Sequence, residues 1–242
     1  MPIKAVIFDY IGTLVNCRNY SMDGSKLKLY NALVAEGFGV AEDKFMDAYS
    51  LAHEKYRKVR YELLREVTTA VWVAEALSSL GFTVTKDDPR VKAALNVFFQ
   101  DFIDTLELRD GAKKLLCQAQ QHGKTALISN FTFAPVIYKS LRKMGISGFF
   151  NAVVVSEEVG WRKPSEQIFQ HTLNCLKIQA SDAIYVGDSP IEDIKGAKDA
   201  GLKTVFVPSQ FNSLKDLQKS KQEPDCIVED LETIFQNLNE LS

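Results

Sequence analysis

The chain has 242 residues, of which 46% are apolar and 25% charged, and its formal net charge is −2. Those proportions are typical of an ordinary globular protein and exclude a disordered or low-complexity chain. A net charge so close to zero provides no field that would attract nucleic acid or an anionic membrane surface. No run approaches the ~20 apolar residues of a membrane span. We therefore expect neither a nucleic-acid partner nor a membrane partner.

The four cysteines lie far apart and lack the paired spacing of a zinc site or a redox pair. They are Cys17, Cys117, Cys175 and Cys226. Isolated cysteines are typical of reduced thiols in a cytosolic protein. The apolar run after Lys4 has only four residues, which is too short for the core of a signal peptide. We therefore expect a cytoplasmic location.

The first apolar run, residues 5–8, is too short for a helix and rich in β-branched and aromatic side chains, which predicts a buried strand. Asp9 follows at the strand's end, where burying a carboxylate costs free energy unless something pairs with it. Gly12 then lets backbone N–H groups turn toward whatever approaches Asp9. Ligands of open α/β sheets collect at the carboxyl ends of the strands, so Asp9 is the first candidate for a reactive group. A carboxylate that merely caps a turn is the competing interpretation.

Residues from about 16 to about 100 contain no clear strand pattern and instead predict four helices. Apolar side chains recur there every three or four residues, and glycines at 37, 39 and 81 end two of the helices. The sequence 87–89, Asp-Asp-Pro, is typical of a helix start. We predict an all-helical domain over 16–102, inserted after the first strand as a lid, and an α/β domain over 1–15 and 103–242.

From residue 110 onward, helices and strands alternate, which predicts a three-layer α/β core with a parallel sheet covered on both faces. The predicted helices are 112–122, 134–144, 165–176, 191–200 and a closing helix over 231–241. The predicted strands are 125–128, 152–155, 183–186, 204–207 and a short one over 226–228. Residues 209–224 are polar and predict a loop with at most one helical turn near Leu214.

Polar side chains recur where these strands end. Asp9 follows the first strand, Ser129 the second and Asp188 a later one, and a parallel sheet brings such positions side by side. Two carboxylates there would repel each other unless a cation neutralised them, and hard oxygen ligands favour Mg²⁺. Asp193 adds another carboxylate, and Lys163 adds a positive charge from a loop. An anion held among these groups suits phosphoryl transfer through an aspartyl nucleophile.

Four motifs resemble, in order, those of the haloacid dehalogenase-like hydrolase superfamily, in the subgroup with a helical cap inserted after the first motif. They are Asp9-Tyr10-Ile11-Gly12-Thr13-Leu14, Leu127-Ile128-Ser129-Asn130, Gly160-Trp161-Arg162-Lys163-Pro164, and Gly187-Asp188 followed by Asp193. Each motif is short, but all four occur at the end of a predicted strand or in the loop after one. The resemblance implies a Rossmann-like core, a helical cap and a hydrolase activity.

The resemblance also implies a role for each motif residue. Asp9 would be the nucleophile and a Mg²⁺ ligand, and Asp188 and the backbone carbonyl of Ile11 would be further ligands. Asp193 would support the metal site. The residues implied to hold the transferring group, or to shape the loop around it, are Gly12, Thr13, Ser129, Asn130 and Lys163, with Ser129 and Lys163 also taking part in catalysis. We therefore expect Mg²⁺ as the cofactor and a small phosphorylated molecule as the substrate.

The chain departs from the family pattern at Ile11. Phosphatases of this family usually carry a second Asp there, two residues after the nucleophile, which protonates the leaving oxygen and then activates water. Losing a general acid and base typically lowers the rate by a factor of about 10²–10⁴. We therefore expect a Mg²⁺-dependent phosphohydrolase with weak or narrow activity, which forms an aspartyl-phosphate from a small phosphorylated metabolite.

Three hypotheses account for Ile11. The first is a phosphatase for aryl or acyl phosphates, whose leaving groups need little protonation, or one that borrows a proton from His53, Tyr49 or Tyr56, although aromatic residues at helical spacing usually pack in a core. The second is a 2-haloacid dehalogenase, because halide needs no proton, but the intact metal-binding pattern argues against it. The third is a degenerate member of the family that only binds a ligand or partner. The presence of the five other motif residues, Asp9, Ser129, Lys163, Asp188 and Asp193, argues against it. The sequence indicates neither the substrate nor the oligomeric state.

Overall fold

The computed structural model describes residues 3–234. Its strands are β1 Ala5–Phe8, β2 Val15–Cys17, β3 Leu106–Leu108, β4 Lys124–Ser129, β5 Ala152–Val155, β6 Ala183–Gly187, β7 Lys203–Phe206 and β8 Cys226–Ile227. Its α-helices are α1 Met22–Ala35, α2 Glu42–Glu62, α3 Thr69–Ser79, α4 Pro89–Thr105, α5 Ala112–His122, α6 Pro135–Lys143, α7 Ser156–Val159, α8 Glu166–Leu176, α9 Gly196–Asp199 and α10 Leu214–Ser220. Within this part of the chain, none of the helices is sufficiently long and apolar to cross a membrane.

Six strands form one parallel sheet in the order β5-β4-β1-β6-β7-β8. Strand β1 lies inside it, and its four residues are all buried because helices cover both faces. Val6 and Phe8 point toward the cluster that includes α5 and α6, whereas Ala5 and Ile7 point toward α8 and α9. This alternation follows from the two-residue period of a strand. The predicted three-layer α/β core is therefore confirmed.

The four predicted helices between β2 and β3 are present as α1–α4, which we call the helical insert. Helix α1 packs against α4, and α2 packs against α3. Their apolar faces share a hydrophobic cluster that is separate from those on the sheet; it includes Leu29, Leu33, Phe45, Trp72, Leu77 and Leu95. Phe133 and Val136, at the start of α6, extend this cluster onto the α/β core. The insert is thus built around apolar contacts of its own.

The prediction that residues from about 16 to about 100 contain no strand is wrong at the start of this range. Asn16 and Cys17 belong to β2, which pairs antiparallel with β3 where the chain leaves and re-enters the core. Each strand has three residues, too few to show a two-residue period in the sequence. The short helix α7 was also not predicted.

The predicted helix over 191–200 begins with a π-helical segment, Pro190–Lys195, before α9. The helical turn predicted near Leu214 is α10, which opens with a capping box between Ser213 and Asp216. Most of the predicted closing helix over 231–241 lies outside the described residues.

Candidate active site

The sheet brings three of the predicted polar residues together. Strand β1 pairs with β4 and β6, so Asp9 and Asp188 follow neighbouring strands and Ser129 is the last residue of β4. The Asp9 amide donates to Val186 O at 2.9 Å, which continues the ladder up to the nucleophile candidate. Asp9, Asp188 and Asp193 are buried, and one carboxylate oxygen of each lies within 4.8 Å of the others. Three crowded carboxylates form the centre of the candidate site.

Lys163 is the cation that balances these carboxylates. Its Nζ donates to Asp9 Oδ1 and to Asp193 Oδ1, both at 2.6 Å, and the side chain is only 2% exposed. Burial alone would lower the pKa of Lys163, but the Asp193 and Asp9 carboxylates raise it well above its ordinary value. Asn130 fixes the backbone of this residue, because its side chain accepts from Lys163 N at 2.8 Å and donates to Lys163 O at 2.9 Å. The ammonium is therefore held charged and in one position.

Tyr185 completes this polar cluster, although the sequence analysis did not single it out. Its hydroxyl accepts a hydrogen bond from Lys163 Nζ at 3.0 Å and donates one to Asp193 Oδ1 at 2.9 Å. Asp193 Oδ2 accepts from Ser189 N at 2.8 Å, so both oxygens of Asp193 are engaged. Asp193 therefore holds Lys163 rather than presenting a free oxygen.

Asp9 differs from Asp193 in having an oxygen without a partner. Its Oδ1 accepts from Lys163, but its Oδ2 is buried and has no hydrogen bond. Burial raises the pKa of Asp9 to about 8 against the opposing effect of Lys163, and the Asp193 and Asp188 carboxylates add to the rise. A buried oxygen in this environment is satisfied either by a proton or by a divalent cation, and a cation would oppose the shift. The donor set, all hard oxygens, fits a metal such as Mg²⁺.

Asp188 is held by residues from two loops. Its Oδ1 lies 3.4 Å from the Thr13 hydroxyl, and its Oδ2 accepts from Ser209 Oγ at 2.5 Å and from Asn212 Nδ2 at 3.0 Å. Sequence reasoning missed Ser209 and Asn212, which lay in a stretch predicted only as loop. They follow the end of β7, so the rule that found Asp9 and Ser129, polar groups after parallel strands, could have found them.

The turn after Asp9 needs glycine. Gly12 has φ +103°, and a Cβ at this position would lie 2.6 Å from Asp188 Oδ2, so any larger residue would displace that carboxylate. Arg109, another residue that the sequence analysis missed, donates to Gly12 O at 2.6 Å and to Pro208 O at 2.9 Å. This guanidinium fixes the turn on one side of the site and the loop after β7 on the other.

A cavity of about 340 Å³ contains these groups, and it is lined by Asp9, Ile11, Phe102, Ser129, Asn130, Phe131, Lys163, Asp188, Ser189, Glu192, Asp193, Phe211 and Asn212. Ile11 thus presents a hydrocarbon side chain to the space where a second carboxylate would act. His53, Tyr49 and Tyr56, the residues of the insert suggested as proton donors, are not among the described residues that line this cavity. Tyr49 and His53 line a different cavity, and the Tyr56 hydroxyl is hydrogen-bonded to Glu75.

The insert is bound to the loop that carries Lys163. Residues 64–66, between α2 and α3, pair with residues 160–162: Glu66 N donates to Gly160 O at 3.0 Å, and Arg162 N to Leu64 O at 3.2 Å. The Arg65 guanidinium lies over the Trp161 ring, 3.9 Å from its centroid. We call these two paired segments the strap.

Glu66 is the charged centre of the strap, and its side chain is fully buried. It accepts from Arg60 Nε at 2.6 Å and from Ser156 Oγ at 2.5 Å, and it lies 3.4 Å from Arg162 Nη1. Arg162, whose side chain is 3% exposed, extends the network to Glu192 at 3.1 Å. Without Glu66, Arg60 would lose its carboxylate partner, and Arg162 would keep only Glu192.

Replacing Glu66 by Ala is expected to lower the free energy of unfolding by about 3–5 kcal/mol, because it removes one partner of a buried ion pair. Urea unfolding followed by circular dichroism measures the change. Glu54→Ala is the matched control, since Glu54 pairs with Arg57 on the exposed surface of α2, and its loss should have a negligible effect. Equal stabilities for the two variants would contradict the role given to Glu66.

Comparisons with known proteins identify the family of the chain and some of its relatives. The model of the haloacid dehalogenase-like hydrolase family matches residues 3–201. The chain is 28% identical to a glyceraldehyde 3-phosphate phosphatase of Methanothermobacter thermautotrophicus over 94% of its own length and 96% of that protein. It is 31% identical to a ribulose-1,5-bisphosphate 5-phosphatase of Halopiger xanaduensis, but this alignment covers only 48% of each protein.

A solved structure with the same fold is that of a 2-haloacid dehalogenase from Pseudomonas syringae. It superposes with a TM-score of 0.72 over 99% of this chain and 100% of that one, at 21% identity. Identity so low shows the shared fold alone. Together with the family match over most of the sequence, it leads to one conclusion: the chain belongs to the haloacid dehalogenase-like hydrolases.

Proposed function

We propose that the protein is a Mg²⁺-dependent phosphohydrolase that acts on a small phosphorylated metabolite through an aspartyl-phosphate. The observation that carries the proposal is the environment of Asp9: one oxygen is bound to a buried ammonium and the other has no partner, among three crowded carboxylates. The names of the relatives, phosphatases of glyceraldehyde 3-phosphate and ribulose bisphosphate, support small phosphorylated sugars as the first substrates to test.

In this proposal Asp9, Asp188 and the backbone carbonyl of Ile11 hold the metal ion, and Asp193 supports it indirectly by fixing Lys163. Bound Mg²⁺ would neutralise the carboxylates and polarise the phosphoryl group. Ser209 and Asn212 orient Asp188 through hydrogen bonds to its Oδ2. Hydrogen bonds to a metal-binding side chain typically tune the affinity for the metal, so Ser209 and Asn212 belong to the proposed metal site.

The reaction would proceed in two displacements at phosphorus. A carboxylate oxygen of Asp9 attacks the phosphorus, and the bond to the ester oxygen breaks, with the electron pair leaving on that oxygen. Water then attacks the phosphorus of the aspartyl-phosphate, which releases inorganic phosphate and restores Asp9. Lys163, Ser129 and Asn130, with the turn at Gly12 and Thr13, would surround the transferring group and offset its negative charge. Ile11 supplies no proton to the leaving oxygen.

We also propose that the insert is a cap domain spanning 16–102, over a core of 1–15 and 103–242. Its separate hydrophobic cluster supports this division, and the β2–β3 pair lies where the two parts join. The cap would cover the candidate site, since Phe102, at the end of α4, contributes to the cavity that contains Asp9.

Phosphate release from acetyl phosphate, p-nitrophenyl phosphate and glyceraldehyde 3-phosphate, with Mg²⁺ or with EDTA, tests the function. We expect release with Mg²⁺ that EDTA abolishes. No release from any of them would contradict a phosphatase and favour a member that only binds a ligand. Halide release from 2-chloropropionate in EDTA would instead support the dehalogenase hypothesis.

A further inference from the structure

We propose that the group esterified to the phosphate is aromatic or comparably apolar, and that it binds in a second cavity beside the candidate site, between the insert and the core. This cavity has a volume of about 610 Å³, which is large for a three-carbon sugar. The inference rests on the proposed function, because it assumes that Asp9 receives the phosphoryl group. It names the class of substrate, an aryl phosphate monoester, that the cavity fits.

The two cavities are neighbours and share part of their walls. Phe102, Asn130 and Phe131 line both of them. A phosphate beside Asp9 would therefore direct the rest of its molecule past these three residues into the larger space. A substrate that left the larger cavity unfilled would forgo most of the apolar contact available near the site.

Seven of the sixteen described residues that line the larger cavity are Phe, Tyr or Trp. They include Tyr20, Tyr49, Trp72, Phe98, Phe99 and Phe131. Several of these rings already stack or meet edge to face, as Phe98 and Phe99 do at 4.6 Å between centroids. Walls of this kind bind a flat ring through offset or edge contacts and gain from excluding water.

Several polar groups of the same cavity are already paired, either with each other or with residues outside its lining. The Thr69 and Thr132 hydroxyls are 2.7 Å apart, Arg60 is paired with Glu66, and Glu54 is paired with Arg57. A sugar needs partners for each hydroxyl that it buries, because an unpaired hydroxyl in an apolar site costs free energy. These paired groups would offer little to the hydroxyls of a polyhydroxylated leaving group.

One buried donor remains available. Trp72 Nε1 is buried and makes no hydrogen bond of ordinary geometry, although Trp72 lies close enough to the Tyr49 hydroxyl to oppose the rise that burial causes in the pKa of Tyr49. An acceptor atom on an otherwise apolar ligand would satisfy Trp72 Nε1, and a single fixed donor of this kind typically sets the orientation of a ligand in an apolar pocket. The cavity thus fits an aromatic ring that carries at least one acceptor.

Ile11 leads to the same substrate class by an independent route. Without a carboxylic acid at this position, the leaving oxygen must depart with little help from a proton. A phenol has a pKa near that of tyrosine, about 10, so its oxygen leaves as an anion far more readily than that of an aliphatic alcohol. The missing proton donor beside Asp9 and the aromatic walls of the larger cavity therefore both favour aryl phosphates.

The test compares phenyl phosphate with 2-naphthyl phosphate, whose leaving groups are similar phenols that differ in size. Both kcat/KM values are measured in Mg²⁺ for the wild-type protein and two variants of α2. Ser50→Phe fills the cavity, since Ser50 lines it and is otherwise exposed to solvent. Leu51→Phe is the matched control on the neighbouring residue, which is 75% exposed and outside the cavity.

We expect the naphthyl ester to exceed the phenyl ester by about tenfold in the wild type and in Leu51→Phe, because the second ring buries more apolar surface. Ser50→Phe should abolish that preference. No preference in the wild type, or one that survives Ser50→Phe, would overturn the inference. Faster turnover of glyceraldehyde 3-phosphate than of both aryl esters would also overturn it while leaving the phosphatase function intact.

Absence of turnover on any phosphate would count against the proposed function. In that case a binding measurement still tests whether the cavity takes an aromatic ligand. Calorimetry measures the binding of 2-naphthol to the same three proteins without any reaction. Binding by the wild type and Leu51→Phe, but not by Ser50→Phe, would support an aromatic ligand in this cavity. No binding of 2-naphthol to the wild type would overturn it.

Discussion

Replacing Asp9 by Asn is expected to lower phosphate release by at least about a thousandfold, because the amide cannot act as the nucleophile. The side chain keeps its shape, and Lys163 keeps its 2.6 Å contact with Asp193, so the fold should be retained. Steady-state phosphate release in Mg²⁺ measures the loss. Undiminished turnover by a folded Asn variant would exclude Asp9 as the nucleophile.

The same substitution should not destabilise the protein. Asp9 Oδ2 is buried without a partner, and Asp188 and Asp193 lie close by, so the folded state gains little from the charge of Asp9. Thermal unfolding in EDTA should give a midpoint at or above that of the wild type. Asp182→Asn is the control: Asp182 is buried directly before β6 and paired with Lys4, so its loss should lower stability and leave turnover intact.

Replacing Ile11 by Asp is expected to raise kcat for an alkyl phosphate such as glycerol 3-phosphate by about 10²–10⁴-fold, the usual contribution of a general acid and base. Ile11 lines the cavity that contains Asp9 and is only half-buried, so a carboxylate there can be solvated. The gain should be much smaller for acetyl phosphate, whose leaving group needs no proton.

Ile11→Asn separates proton transfer from the other effects of a polar side chain, because it has the shape of Asp and cannot transfer a proton at neutral pH. It should give no comparable gain. Equal rates for Ile11→Asp and the wild type would mean that another step limits turnover. Failure of both proteins to release any phosphate would favour a ligand-binding role.

The core of the fold could be predicted because its signals are local. Apolar runs such as 183–186 and the helical spacing of the insert reflect periods of two and 3.6 residues that are visible in a single sequence. Strands β2 and β3 could not be predicted, since their three-residue pairing depends on where the insert brings the chain back. The π-helical segment that begins at Pro190 could not be predicted either, because its apolar residues show no spacing that distinguishes it from an α-helix.

The site could be predicted in part for a similar reason. Asp9, Ser129 and Asp188 follow strands, and the order of the sheet alone brings them together. Tyr185 could not be recognised, because its hydroxyl lies within a buried strand and gains its role only from the proximity of Lys163 and Asp193. The roles of Asp9, Ser129 and Asp188 in catalysis and metal binding remain predictions.

The contacts of the strap show the limit most clearly. Glu66 and Arg162 are 96 residues apart in sequence, and nothing local to either predicts their contact. A buried ion pair of this kind is a property of the packed structure. The helical spacing of α2 likewise does not reveal that Arg60 turns toward Glu66.

The strap also provides an intrinsic reporter of motion. The amides of Glu66 and Arg162 donate across it, one in each direction, to Gly160 and Leu64. They exchange with deuterated solvent only when the two segments separate, so their protection measures how often the insert lifts from the loop of Lys163. Since Lys163 directly follows Arg162, exchange at these two amides would report on the chain segment next to the ammonium that balances Asp9.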